Sequence, residues 1–595
     1  MLENRIQMGQ YTYRELNVDM EEIRLIRLMP GNLDEAIAFS IIHTPLVLPK
    51  CGPSKRLSIG ELRKTLPDDW FVGETMEGDY LFMAKGTSSP NSWDHPDPSI
   101  DPDTYKLNKT NDVFEHEPRY EALSYTWGQN SESVIAYILD SSDSTQSPYT
   151  MQIGQNLDSA LRNLRYADQS RMLWVDAICI NQNDVDERNA QVKRMGNIYS
   201  LAYKVVAWLG EETVDSKHAL ATLEYFGQQV ELTVDNLIGD APGAKEPQWW
   251  MSEYLLPYDV KTWKSLISLF HRDWFSRVWV LQEVELARRS IIQCGADSCP
   301  WPAIRKSIRS LSKRRGAPPE LTNVVSSYKT GLVSKYDEDL ATLLDWSRTR
   351  ECTDPRDRVY GLLSLTPSSF SERIRPEYSL PIEKTYVDTF LTHLSVTGRL
   401  DLLAQCRIER KLENGASWVP NWNRRAGSFL GGYRAGWYLR QASGDSAACA
   451  RYLDSDTLQV YGVQCACVGS VSEIISNDVT EQVKQALREF GHEPFHIGSY
   501  VSGCSMLEAC LEVVFQGQMA ERLRERRALR FPSIHELQKS YLWAIFGGSK
   551  ETIDFSHMAT LKTDKALIFT TREGYLGAGS PGVQPGLSLW SNCCN

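Results

Sequence analysis

Apolar positions along the chain change period several times, and each change predicts an element. Ile23 to Met29 alternates apolar and basic side chains and stops at Pro30-Gly31, the pattern of a half-buried strand entering a turn. From Lys85 to Pro118 the apolar positions thin out into Ser, Pro, Asp and Asn, which predicts a mobile insertion. Tyr120-Glu-Ala-Leu-Ser-Tyr-Thr-Trp-Gly128 then has the aromatic and Thr content of a buried strand, with Gly128 freeing the backbone at its end. Val134–Leu139 and Tyr149–Ile153 read as a hairpin, and Asn156 is placed to cap a helix with Leu157, Ala160, Leu161 and Leu164 on one stripe.

Leu173-Trp-Val-Asp-Ala-Ile-Cys-Ile180 is a near-continuous apolar run, which predicts a strand buried on both faces, closed by the polar loop Asn181-Gln-Asn-Asp184. A helix with Val192, Met195, Ile198, Tyr199 and Ala202 on one face leads to a second such strand, Lys204–Gly210. Trp274 to Arg289 reads as a helix on which Trp279, Glu283 and Leu286 share a face, followed by the short strand Ile291–Gly295. Strands alternating with single helices predict a small doubly wound parallel sheet of four or five strands from Tyr120 to about Pro300.

Beyond residue 300 the period is helical, with Leu340, Leu343, Leu344 and Trp346 on one helix, Asp354–Leu363 opening the next and Tyr386–Leu394 continuing. From Ala450 strands return at Thr457–Gly462 and Cys465–Val471, a helical stretch occupies residues 505–545, and Ala566–Gly577 is a hairpin turning at Glu573-Gly574. Four regions follow: 1–118, N-terminal strands with a disordered insertion; 119–300, the α/β domain; 301–430, helical; 431–595, an α+β domain.

Composition changes this picture mainly by exclusion. A net charge of -12 with no basic face argues against nucleic acid as a partner, and the run Glu521–Arg530 mixes acids and leucines as a solvated helix face does. Cys179, Cys465 and Cys467 sit in apolar runs, where Cys acts as a small hydrophobe, and Cys294 and Cys299 have no second pair at zinc-finger spacing. The polar opening Met1–Gln7 and the lack of any apolar run of ~20 residues predict a reduced, soluble, cytoplasmic protein with no membrane span.

The familiar catalytic motifs are weak. His492-Glu-Pro-Phe-His496 has the letters of a zinc-protease site, but Pro494 spoils the helix that would align both ligands, so no metal is expected there. Gly547–Lys550 lacks the remaining residues of a phosphate loop, and no Gly-x-Ser-x-Gly elbow occurs. What remains is convergence where the carboxyl ends of parallel strands line a crevice: Ser124 and Tyr125 after one strand, Asn181 and Gln182 after another, Gln282 and Glu283 on the later helix. The plainer readings are a surface Glu283 on a docked helix, Asp176 as a buried acid satisfied by backbone donors, and Trp127 and Trp208 as core.

Three stretches, Tyr120–Gly128, Leu173–Gln182 and Trp274–Glu283, resemble the signature blocks of the fungal heterokaryon-incompatibility (HET) domain. Glu187, Gln191, Met195, Ile198-Tyr199 and Val206–Gly210 fit the same pattern, and looser likeness runs through Asp354–Tyr360, Ser417–Trp422 and Gly574–Gly577. The family triggers or executes programmed cell death when genetically different hyphae fuse, which implies an incompatibility partner protein and self-association. HET domains in turn resemble the Toll/interleukin-1 receptor (TIR) domain, a flavodoxin-like fold in which some members cleave NAD with a Glu on the third helix. The TIR pattern Trp-Cys-x-x-Glu is matched by Trp279 and Glu283, with Val280 in place of Cys, and Ser124-Tyr125 matches the end of the first TIR strand. The resemblance therefore implies a TIR-like fold with NAD as substrate and no resident cofactor. It makes Glu283 the catalytic carboxylate, with Ser124, Tyr125, Trp127, Gly128, Asp176, Asn181, Gln182, Trp279 and Gln282 holding the substrate. A non-catalytic adaptor that signals by self-association is the alternative.

Overall fold

The structure, a computed structural model, describes residues 9–47, 56–84, 90–107, 118–128, 133–139, 148–235, 237–312, 314–329, 340–406, 411–423, 446–454, 456–472, 479–489, 498–515, 517, 519, 521, 532–546, 567–579 and 582–591. The chain forms two compact units, one of residues 1–339 with 349–382, the other of 340–348 with 383–595. This division cuts across the regions expected from composition, because the helix Leu340–Ser347 belongs to the second unit while residues 349–382 return to the first.

The first unit is built on a mixed sheet wider than the four or five parallel strands expected. Its strands are β1 (Glu22–Leu28), β2 (Ala38–Pro45), β5 (Glu121–Ser124), β6 (Ser133–Ile138), β7 (Tyr149–Gly154), β8 (Arg171–Trp174), β9 (Lys204–Trp208), β12 (Ser290–Cys294) and β13 (Asp297–Pro300). Two short hairpins, β3–β4 (Trp70–Glu74, Tyr80–Ala84) and β10–β11 (Val230–Leu232, Ile238–Asp240), stand outside it. The nine strands run in the order β13-β12-β9-β5-β8-β1-β2-β6-β7. The expected parallel core is present as β12-β9-β5-β8, each neighbour parallel to the next. The N-terminal hairpin β1–β2 extends it, β1 lying antiparallel to β8 while β2 takes up the β6–β7 hairpin.

Burial explains this extension. Leu25, Ile26 and Leu28 are fully buried, and the basic partner in the alternation, Arg24, is buried as well. Its guanidinium pairs with Glu187 at 2.5 and 2.9 Å and donates to the Cys179 carbonyl at 3.1 Å. The other basic residue of the strand, Arg27, is exposed, so one of the two basic positions faces solvent and the other is buried with its charge neutralised internally.

The helices of the first unit up to the third signature block are α1 (Ile59–Leu62), α2 (Gln155–Leu164), α3 (Asp176–Cys179), α4 (Val185–Leu201), α5 (Ser216–Gln229), α6 (Val260–Phe270) and α7 (Val280–Glu285), and several follow the sequence pattern. In α2 (Gln155–Leu164) Leu157, Ala160, Leu161 and Leu164 are all buried. In α4 (Val185–Leu201) Val192, Met195, Ile198 and Tyr199 are buried, and Asp184 caps it by accepting from the Glu187 N–H. Asn156 does not cap α2: Gly154 holds that position, and the Asn156 amide instead donates to the Thr126 carbonyl at 2.6 Å and accepts from the Trp208 indole at 3.1 Å.

Three expected elements are broken differently. The strand expected over Leu173–Ile180 ends at Trp174, and Asp176–Cys179 forms a single turn, α3, closed by Cys179 N–H on the Val175 carbonyl at 2.7 Å. An apolar run does not distinguish these two buried states. The helix expected from Trp274 to Arg289 is a 3₁₀ turn, Asp273–Ser276, an extended step at Arg277-Val278, and the short helix α7 (Val280–Glu285). The step arises because the backbone here bridges to Glu351, with Val278 N–H on the Glu351 carbonyl at 2.9 Å. Of Asp354–Leu363, only Asp357–Tyr360 is α-helical.

Residues 90–107, inside the expected mobile insertion, are built into the structure. Ser92 bridges to Phe82, and Tyr105 joins Leu62, Val72, Tyr80 and Phe82 in a small core. Residues 85–89 and 108–117 lie outside the described residues.

The second unit carries the helix Ile382–Thr397 through most of its length, a β14–β15 hairpin (Ala450–Asp454, Thr457–Val460) and a four-stranded sheet in the order β18-β17-β16-β19. These are β16 (Val463–Val471), β17 (Leu567–Thr571), β18 (Leu576–Gly579) and β19 (Ser588–Ser591), with β17–β18 the hairpin expected at Glu573-Gly574. Helices Val479–Glu489, Met506–Val514 and Ile534–Ile545 share one apolar core. Cys465 departs from expectation: it is exposed, and the buried positions of β16 are Ala466 and Val468.

Candidate active site

The carboxyl ends of the parallel strands come together with the segment that precedes β12. Ser124, the last residue of β5, donates its hydroxyl to Glu283 Oε2 in a short hydrogen bond and accepts from the Trp274 indole N–H at 2.7 Å. All three are buried, Glu283 at 1% exposure, so the surface reading of this carboxylate does not hold. Helix α7 is pinned from its other side by Glu285, which accepts from Arg305 at 3.2 Å and from the Trp301 indole at 3.3 Å. Trp301 in turn packs edge-on against Trp274 at 5.8 Å.

A second acid follows β8. Asp176 is half-buried; its Oδ1 accepts from its neighbour's N–H at 2.7 Å, and its Oδ2 from the Trp127 indole at 2.9 Å. The backbone-satisfied reading of Asp176 is therefore half the account. Trp127 itself is 44% exposed, against the core reading, whereas Trp208 is fully buried as expected. Gly128, at φ +78°, takes the backbone through a turn that other residues rarely adopt.

Electrostatics tie these groups to one cation. Burial raises the Glu283 carboxyl above the usual range, opposed by the Arg277 charge and the Ser124 hydrogen bond, with Asp176 adding to the rise. Burial raises Asp176 too, again opposed by Arg277, then by the Trp127 and Ala177 donors. Arg277 is held by donating to the Tyr125 carbonyl, one residue after Ser124. Tyr125 is buried, and burial together with Asp176 holds its phenol well above the usual value.

Other expected residues take different places. The Gln182 amide donates to the Asp176 carbonyl at 3.1 Å, and Asn181 receives the Asn183 N–H at 3.3 Å, so both brace the loop after α3. The Trp279 indole is turned to Asp357 Oδ2 at 3.1 Å, not to Glu283, although the Glu283 N–H does bond the Trp279 carbonyl at 3.2 Å. Gln282 is 1% exposed, and among the described residues neither its oxygen nor its nitrogen has a hydrogen-bond partner. Sequence reasoning passed over Trp274 and Arg277, which lie inside the third signature block, and Asp357, inside Asp354–Tyr360. Tyr378, which also bonds Asp357, has no sequence signal at all.

Among the described residues no group of His, Cys, Asp and Glu is placed to hold a metal ion, and His492–His496 and Gly547–Lys550 lie outside them. No helix among the described residues is long and apolar enough to cross a membrane. The site is thus an acid pair, one arginine and an exposed indole at the edge of a parallel sheet, the location where α/β folds bind ligands.

Residues 120–283, from the start of β5 to the buried carboxylate, match the sequence model of the family described as heterokaryon incompatibility protein (HET). This stretch is a HET-domain match, and the residues outside it are not covered by the family model. It is 27% identical over 430 residues to heterokaryon incompatibility protein 6, OR allele, of Neurospora crassa. That alignment covers 60% of this chain and 60% of the length of the relative. No solved structure matches the chain.

Proposed function

We propose that this protein acts in fungal self/non-self recognition, triggering cell death through its HET domain, and that the domain does so by hydrolysing the nicotinamide glycosidic bond of NAD. The name of the relative from Neurospora crassa, a heterokaryon incompatibility protein, supports the self/non-self recognition part. The observation that carries the second is the Glu283 carboxylate, held at the carboxyl edge of the parallel strands in water-poor surroundings by Ser124. In the reaction the ribose C1′–N bond breaks, its electron pair neutralises the pyridinium nitrogen, and water adds to C1′ with loss of a proton. An ionised Glu283 offsets the positive charge that builds on the ribose. Trp127 offers an exposed aromatic face for a flat ring, and Arg277 a cation for phosphate.

The test is to incubate the purified full chain with NAD at high protein concentration and follow free nicotinamide. Glu283→Gln keeps the shape and removes the charge, so turnover should fall ~100-fold or more. Unchanged turnover in that variant sinks the assignment of Glu283.

A second reading is favoured by the same carboxylate's 1% exposure, since chemistry requires this closed arrangement to open. Under it the domain is an adaptor that signals by self-association and binds its incompatibility partner without catalysis. No nicotinamide release by the associated wild-type protein supports the adaptor.

A further inference from the structure

The segment from Asp354 to Leu380 lies beyond the residues matched by the HET family, yet it grips both α4 and the start of α7. Asp357 is at its centre. One carboxyl oxygen accepts the Trp279 indole N–H at 3.1 Å, the other the Tyr378 hydroxyl at 2.6 Å. Tyr378 is fastened to α4: its N–H donates to Asn189 Oδ1 at 3.0 Å, and the Arg188 guanidinium lies over its ring at 4.2 Å. Arg356 closes the loop by donating to the Tyr378 and Leu380 carbonyls at 2.5 and 2.6 Å while pairing with Asp354 at 2.9 and 2.7 Å. Trp279 is the residue from which α7 starts, and its carbonyl accepts the Glu283 N–H. Displacing its indole therefore displaces the turn that aims the Glu283 carboxylate.

We propose that Asp357 is a positioning residue for Glu283: by joining Trp279 to Tyr378 it ties the start of α7 to α4 and holds the carboxylate against Ser124. The consequence for turnover rests on the NAD reading above; the joint itself does not.

The charged and titratable groups around Asp357 are Asp354, Arg277 and Cys352, whose thiol is pushed up by burial, with Tyr378 on it and Arg188 and Arg356 against Tyr378. Burial pushes the Asp357 carboxyl up to about 6, opposed first by the Tyr378 and then by the Trp279 hydrogen bond. As a carboxylate it accepts from both donors; protonated, it gives up one acceptor site, so the grip on Trp279 loosens as pH falls through about 6.

The test uses the full chain labelled with 5-fluorotryptophan, the Trp279 ¹⁹F signal being assigned by its loss in Trp279→Phe. The wild-type signal should move through one transition near pH 6. Asp357→Asn should abolish that transition. Tyr378→Phe removes a donor that favours the ionised form and should move it to higher pH by on the order of one unit. Tyr378→Phe retains the ring and the carboxylate, which keeps the idea testable should Asp357→Asn not fold. A fluorine titration indifferent to both substitutions overturns the joint, whatever the turnover. Where the wild type releases nicotinamide, Asp357→Asn should lower kcat roughly 10-fold with KM little changed, the signature of a misplaced group. An unchanged kcat overturns the positioning role. A wild type that never releases nicotinamide refutes the NAD reading alone, and the fluorine result still decides the joint.

Discussion

Gln282 and Glu283 are neighbours in one short helix, both buried, and their situations are opposite. Glu283 has its hydroxyl donor, whereas the Gln282 amide has no partner among the described residues. Leaving a buried amide unbonded costs about 1–3 kcal/mol. On the NAD reading proposed above, such an amide is kept for contact with the substrate. Replacing Gln282 by Met, of similar length and without polar atoms, should therefore raise stability by about 1–3 kcal/mol while raising KM for NAD. Thermal melting and steady-state kinetics measure the two effects separately. A lower melting temperature in the variant would mean that the amide is bonded within the fold and is not kept for a ligand. Neither the bond of Glu283 nor the isolation of Gln282 can be read from sequence, because Ser124 and Glu283 are 159 residues apart. What the sequence does show is that Ser124 ends an apolar run and that Gln282 and Glu283 follow one, each at an expected sheet edge.

Elements were readable where one periodic stripe faces one surface. Helices α2 and α4 and the β6–β7 and β17–β18 hairpins have buried or paired positions that recur at the period of the element. Reading failed where tertiary contacts interrupt an apolar run. The Glu351 bridge splits the segment from Trp274 to Arg289, and the backbone bond at Val175 turns the run after Trp174 into α3. β1 is the instructive case, since its alternation marks a strand yet only one of its two basic residues, Arg27, faces solvent. Arg24 and Glu187 instead join β1 to α4 as a buried pair, with side-chain exposures of 0% and 9%. Arg24→Ala strands the Glu187 charge in the interior and should cost about 3–5 kcal/mol. The double variant Arg24→Met with Glu187→Leu removes both charges and should recover most of that loss. Denaturant unfolding of the three proteins checks this. A double variant no more stable than Arg24→Ala would show that packing around Arg24, not charge, carries the effect.

For the molecule as a whole, the family signature and the folding unit are different things. The signature covers residues 120–283, but the sheet holding the site needs β1 beside β8, and β2 to carry the β6–β7 hairpin. Removing residues before 119 would open the edge of β8 in the middle of the sheet and expose faces now covered by Leu25, Ile26 and Leu28. Removing residues after 300 would take away Arg305 from Glu285, Asp357 from Trp279 and the Glu351 bridge from Val278. The fragment 119–300 thus keeps every signature residue and loses the groups that shape the site around them. It should show no cooperative thermal transition and should aggregate. A fragment of residues 9–382 contains the described residues of the first unit and should melt cooperatively. Leu340 and Leu344 belong to the core of the second unit, so Leu340→Ser and Leu344→Ser are needed there to keep that stretch from becoming a sticky patch. Circular dichroism melts of both fragments, with light scattering, decide the matter. A cooperative, monodisperse 119–300 fragment would show that the signature region folds alone and that the N-terminal hairpin and residues 349–382 are accessories to it.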